Sequence, residues 1–188
     1  MLKLDIPAHE WFDYETQTFM NTKPVSLKLE HSLLSVSKWE SRHHRCFLDA
    51  FSNKKTTIPV THEEFLDYIR CMTINDGVPD SVYRYLSRSD IDKVLDYIGD
   101  PMTATTINRR GKPPKGSRDT MTSEVIYFYM IANDIPFECQ KWHLNRLITL
   151  IEVCGIKNGP QRKMSKKEIM ERNRALNAQR RAKYNTKG

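Results

Sequence analysis

The stretch that most constrains this chain is 120–158, TMTSEVIYFYMIANDIPFECQKWHLNRLITLIEVCGIKN, which reads as two apolar helices joined by a tight corner. Thr122 or Ser123 can cap the first helix, because a hydroxyl there accepts an orphan backbone N–H. Val125 to Ile131 runs apolar almost without a break, so this helix is expected to be covered on most sides. Asn133-Asp134-Ile135-Pro136 stops it, since Pro136 lacks an N–H and turns Ile135 away from helical geometry. Leu144, Leu147, Ile148 and Ile151 then fall at helical spacing, and Gly155 sits where a left-handed cap belongs. On burial of apolar area, this hairpin is expected to hold the largest share of the folding energy.

The chain before it is read from its periodicities. Leu2-Lys3-Leu4-Asp5-Ile6 alternates apolar and polar and predicts a short strand, and Val25, Leu27 and Leu29 predict a second one paired with it. Between them, Phe12 to Phe19 reads as a turn with aromatics on both sides. Leu33, Leu34, Val36 and Trp39 predict a helix to about His44. Thr61-His62-Glu63-Glu64 is a capping box, followed by the stripe Phe65, Leu66, Ile69 and Met72 and stopped by Asn75-Asp76-Gly77. Two further short helices follow, one started by Pro79 and one by Ser89 and closed at Gly99. Asn53–Thr57 reads as a polar linker and 109–116 as an exposed loop. The expected fold is mainly α with a small N-terminal β ribbon (α+β): a compact helical domain over 1–157 and a basic tail over 158–188, helical or disordered.

Charge is divided unevenly. The whole chain carries a net charge of +7. Residues 157–188 hold eleven Lys/Arg against Glu168 and Glu171, so the remainder is slightly acidic. Ser165-Lys166-Lys167-Glu168 is a second capping box, and the helix after it has little apolar surface beyond Ile169, Met170 and Leu176. Arg172, Arg174, Arg180, Arg181 and Lys183 could hold nucleic acid through phosphates, or an acidic partner.

Catalytic signals are weak. Cys46, Cys71, Cys139 and Cys154 are scattered with no C-x-x-C pair, which suits buried free thiols in a reducing compartment. His43-His44 beside Cys46 comes nearest to a metal cluster but finds no matching pair elsewhere. Glu138, Cys139 and His143 stand within two helical turns, with Cys139 and His143 on one face. An apolar setting there favours a hydrogen-bonded histidine over a nucleophile and its base. No glycine-rich phosphate loop or nucleophile elbow occurs. The chain is therefore expected not to be an enzyme and to use no cofactor or metal. No signal peptide or membrane-spanning run is read, so it is expected in the cytoplasm. Trp142, His143 and Arg146 at the start of the second helix, with the five tail cations, are the candidate partner-binding residues.

LEHSLLSVSKWE (29–40), PMTATT (101–106), IPFECQKWHLNRLITLIEVC (135–154) and KMSKKEIMERNRALNAQRRAKYNTKG (163–188) together resemble proteins of the tail module of long-tailed bacteriophages, the tail assembly chaperones. The chain departs from that pattern at Tyr129, where Trp is expected, and over 108–118. The resemblance implies a mainly helical, non-enzymatic protein of the host cytoplasm, scarce in the finished virion. It implies binding to the hydrophobic tape measure protein and recruitment of major tail protein; a homo-oligomer is a further partner state left open by the sequence. The rival readings are a basic, helical, nucleic-acid-binding phage protein and a structural tail subunit.

Overall fold

A computed structural model describes residues 1–13, 17–51, 59–107, 120–158 and 166–184. The expected linker at 53–57, the loop at 109–116 and most of the Ser165 capping box lie outside them. The described part is mostly helical with small antiparallel ribbons near the N-terminus, an α+β fold. Two units are distinguished, Met1–Gly155 and Ile156–Gly188.

β1 (Leu2–Ile6) pairs antiparallel with β4 (Val25–Leu29), Leu4 opposite Leu27. Period-two alternation sends Leu4, Ile6, Leu27 and Leu29 to the core and leaves Lys3, Asp5, Ser26 and Lys28 exposed. The segment between them is more ordered than a turn. β2 (His9–Asp13) and β3 (Thr18–Thr22) form a second ribbon nested inside the first pair. The far edge of β4 is also occupied. Ile74 N–H donates to Lys28 O, and the Asn75 side chain accepts from Lys28 N–H and donates to Ser26 O. Asn75 thus completes a sheet edge rather than ending a helix.

α1 (Leu33–His43) starts at Ser32, whose hydroxyl accepts from Ser35 N–H, and stops at His44 in the left-handed region with φ 52°. Leu33, Val36 and Trp39 are fully buried along one stripe, and the Trp39 indole N–H donates to Glu64 O. A single turn, α2 (Phe47–Ala50), brings Phe47 against Trp39 and Tyr68. α3 (His62–Met72) carries the expected capping box, with Thr61 and Glu64 each accepting the other's backbone N–H. A 3-10 turn over Asp80–Tyr85 leads to α4 (Arg88–Gly99). Its cap is Ser87 and not Ser89, because Asp90 is the acid that reaches back to the Ser87 N–H.

The apolar stretch at 120–158 departs most from expectation. α5 (Ser123–Ala132) is followed by a 3-10 turn over Phe137–Lys141 and then by α6 (Leu144–Asn158). Pro136 does break the chain, but a whole irregular turn intervenes before helix resumes. Gly155 lies inside α6 and caps nothing. The centre of the core is α1, packed on α3, α5 and the Phe137–Lys141 turn. Ile126, Met130, Ile135, Cys139, Leu144 and Leu147 supply the core side chains of the apolar stretch, joining the cluster around α1 rather than forming a core of their own. Leu147 is nonetheless fully buried. Leu147→Ala should lower unfolding free energy by about 3 kcal/mol in urea titration, through lost transfer energy and a residual cavity.

Candidate functional site

Two histidines far apart in sequence, His31 and His143, meet inside the fold. The backbone at 30–32 is bridged to the start of α6, with Ser32 opposite His143 and Leu144 N–H donating to His31 O. That bridge brings the His31 and His143 rings to 4.9 Å, edge to face. His31 Nδ1 meets the Tyr68 hydroxyl at 2.5 Å. His143 Nε2–H donates to Tyr97 O at 2.9 Å, which leaves its buried Nδ1 without a partner among the described residues. Tyr97 Oη–H in turn donates to Glu30. Burial, and secondarily the neighbouring His143, pushes the His31 pKa down to about 3. Burial also lowers that of His143, against a smaller upward pull from its bond to Tyr97. Both rings are neutral packing elements at physiological pH.

A buried carboxylate holds the helix starts. Glu40, on α1, accepts from Phe47 N–H through one oxygen and from Ser123 N–H through the other, at 2.8 and 2.7 Å. One side chain therefore caps both α2 and α5. Thr122, the expected hydroxyl cap of α5, makes no side-chain cap bond.

The sequence candidates fall into two sets. Trp142, His143 and Arg146 come together at one cleft of about 290 Å³, lined also by Glu30, Met102 and Lys141. The Arg146 guanidinium lies 4.3 Å above the Trp142 ring, a cation–π pair at the surface. His143 is only 6% exposed and turned onto Tyr97, so the cleft's accessible chemistry belongs to Trp142, Arg146 and Lys141. Arg172, Arg174, Arg180, Arg181 and Lys183 lie on α7 (Lys166–Tyr184) in the second unit, all of them exposed. Nineteen helical residues extend about 28 Å, so these cations are spread along a rod rather than gathered in a pocket.

The residues read as possible chemistry are otherwise engaged. Cys139 is buried in the 3-10 turn, and Trp142 is its extended C-cap, so Cys139 and His143 do not share a helix face. His43 Nε2 bonds Asp67, which also pairs with Arg42. Cys46 Sγ points to Met121 O, and burial raises its pKa, the opposite of an activated thiol. Among the described residues no three His, Cys, Asp or Glu side chains are placed to hold a metal ion. Among them, too, no helix is long and apolar enough to cross a membrane.

One surface was not singled out by sequence reasoning. The outer side of α5 is uncovered: Phe128 is 64% exposed, Ile131 62%, and Phe137 in the next turn 53%. Phe128 and Ile131 are three apart on the helix and adjoin. Tyr127, one turn before Ile131, has its ring 6.4 Å from that of Phe137 and links the two parts. Tyr129 extends the patch through its ring contact with Phe128. The signal is present in the sequence as the apolar run Val125 to Ile131, but such a run by itself predicts burial. Comparison with protein-family models, curated proteins and solved structures gives no match.

Proposed function

We propose that this protein is a tail assembly chaperone of a long-tailed bacteriophage. In this reading it binds the hydrophobic tape measure protein, keeps it soluble and helps recruit major tail protein. The observation that carries the reading is the uncovered α5 surface, Phe128, Ile131 and Phe137 on a folded support. A chaperone for an apolar helical client needs such a surface, displayed without loss of its own fold. The four sequence segments that resemble tail assembly chaperones add independent support, and the third of them runs from the end of the α5 corner through the cleft residues. A second reading, nucleic-acid binding, is favoured by the row of exposed cations on α7.

The two readings place affinity on different units and differ in salt dependence. Apolar burial is not screened, whereas neutralising ~6 phosphates would forfeit roughly three orders of magnitude in affinity between ~50 and ~200 mM salt. A chain ending at Lys163 should therefore co-purify with a tape measure fragment at ~300 mM salt. It should also lose most nonspecific DNA retention, while the full-length Phe128→Ser, Ile131→Ser variant loses the fragment. Tight, sequence-selective DNA binding with no client captured by either chain would overturn the chaperone reading.

A further inference from the structure

The α5 surface has a charge character that selects among clients. Residues 120–140 carry Glu124, Asp134 and Glu138 and not one Lys, Arg or His, within a chain of net charge +7. Glu124 is one turn before Phe128, Asp134 follows Ile131 at the helix exit, and Glu138 adjoins Phe137. All three are exposed, and none forms an ion pair among the described residues. Backbone and hydroxyl donors at the helix start hold the Glu124 pKa low, so it is charged at neutral pH. The first cation after the patch, Lys141, lines the separate cleft with Trp142 and Arg146.

Apolar side chains framed by unpaired carboxylates fit one kind of helix, with an apolar stripe flanked by Lys or Arg. We infer that the α5 surface docks a basic amphipathic helix of the client, seating its apolar stripe on Phe128, Ile131 and Phe137 and its flanking cations on Glu124, Asp134 and Glu138. The inference rests on the chaperone reading for the identity of the client, but not for the chemistry of the surface. It also runs against the field of the whole chain. Net positive charge, concentrated in 157–188, would by itself draw acidic peptides and repel basic ones. A preference for a basic helix must therefore come from local pairing.

The test uses the full chain and two synthetic helical peptides with the same leucine stripe, one flanked by Lys and one by Glu, titrated by fluorescence anisotropy. Three exposed charge pairs should favour the Lys-flanked peptide about tenfold at ~50 mM salt, shrinking to about twofold at ~500 mM. The Glu124→Gln, Asp134→Asn, Glu138→Gln variant should lose the preference while still binding. Asn tolerates the left-handed backbone of Asp134, φ 52°, so the fold is retained, and circular dichroism checks it. Phe128→Ser should weaken both peptides. Equal binding, preference for the Glu-flanked peptide, or a preference that survives the triple neutralisation would overturn the inference. Capture of a tape measure fragment that depends on Phe128 but not on the three acids would sink this inference alone. Selective Lys-peptide binding with no capture of that fragment would sink the chaperone reading alone.

Discussion

Glu40→Ala should be the most destabilising single substitution in the protein, at about 4–6 kcal/mol. Glu40 is 8% exposed and accepts one backbone N–H at the start of α2 and one at the start of α5. Removing it strands two buried donors at ~1–3 kcal/mol each and deletes a negative charge from the positive end of α5. Glu40→Gln keeps one acceptor oxygen and turns an amide donor toward the other N–H, so it should recover less than half of the loss. Equilibrium urea unfolding of the three chains gives the ranking. A Glu40→Ala chain within 1 kcal/mol of the parent would mean that the N–H groups of Phe47 and Ser123 find other acceptors.

Stability should fall steeply in mild acid, before most carboxylates titrate. The folded His31 pKa is about 3, against about 6.5 for an unfolded chain. Below pH 6.5 the unfolded state takes up a proton that the folded state refuses. The His31 contribution is therefore complete above pH 6.5 and is lost toward pH 3, at about 1.4 kcal/mol per pH unit and roughly 4–5 kcal/mol in all. His143 is shifted in the same direction by burial and adds to the slope. The titratable groups acting on the pair are Tyr68, Tyr97, Glu30, Asp100 and the N-terminal amine, and neither tyrosine titrates in this range, since burial raises both. Glu64, Asp90 and Glu124 are held low by hydrogen bonds and contribute their own acid loss only below about pH 4.5. Urea unfolding between pH 7 and 4.5 isolates the histidines. His31→Gln should flatten that slope by more than half, and an unchanged slope would place the proton uptake elsewhere.

What the sequence reveals of this protein depends on whether a feature is local. The Thr61–Glu64 capping box, the alternation in β1 and β4 and the Leu33–Trp39 stripe are patterns written within a few consecutive residues, and all are found where their patterns place them. Glu40 illustrates the opposite case. It reads as one more acid on α1, and only the fold brings Ser123, 83 residues later, onto its second oxygen. His143 was singled out beside Trp142, but its partner Tyr97 O is 46 residues away and its ring neighbour His31 lies on another segment. The α5 run shows why apolar content is not burial. Ile126 and Met130 face α1, while Phe128 and Ile131, equally apolar, face away. Periodicity could not separate them, because every position from Val125 to Ala132 is apolar. Gly155 misled for a related reason: a glycine that can end a helix is also tolerated within one, and its added Cβ would meet nothing here.

The nested strands at the start of the chain fix an order of events during synthesis. The inner face of the β1–β4 ribbon, Leu4, Ile6, Leu27 and Leu29, is sealed in a core that includes Tyr68, Ile69 and Met72, and the β4 edge is completed only by Thr73 to Asn75. A two-stranded ribbon is not stable in water by itself. At ~5–20 residues per second, the 44 residues from Leu29 to Thr73 take about 2–9 s to emerge, and throughout that interval Leu4, Ile6, Leu27 and Leu29 lack the α3 side chains of their core and the β4 edge stays open. The ribbon is thus made before its last edge partner and completed late. Ribosome-bound chains halted before Thr73 would display a sticky, open-edged hairpin, and those carried past α3 would not.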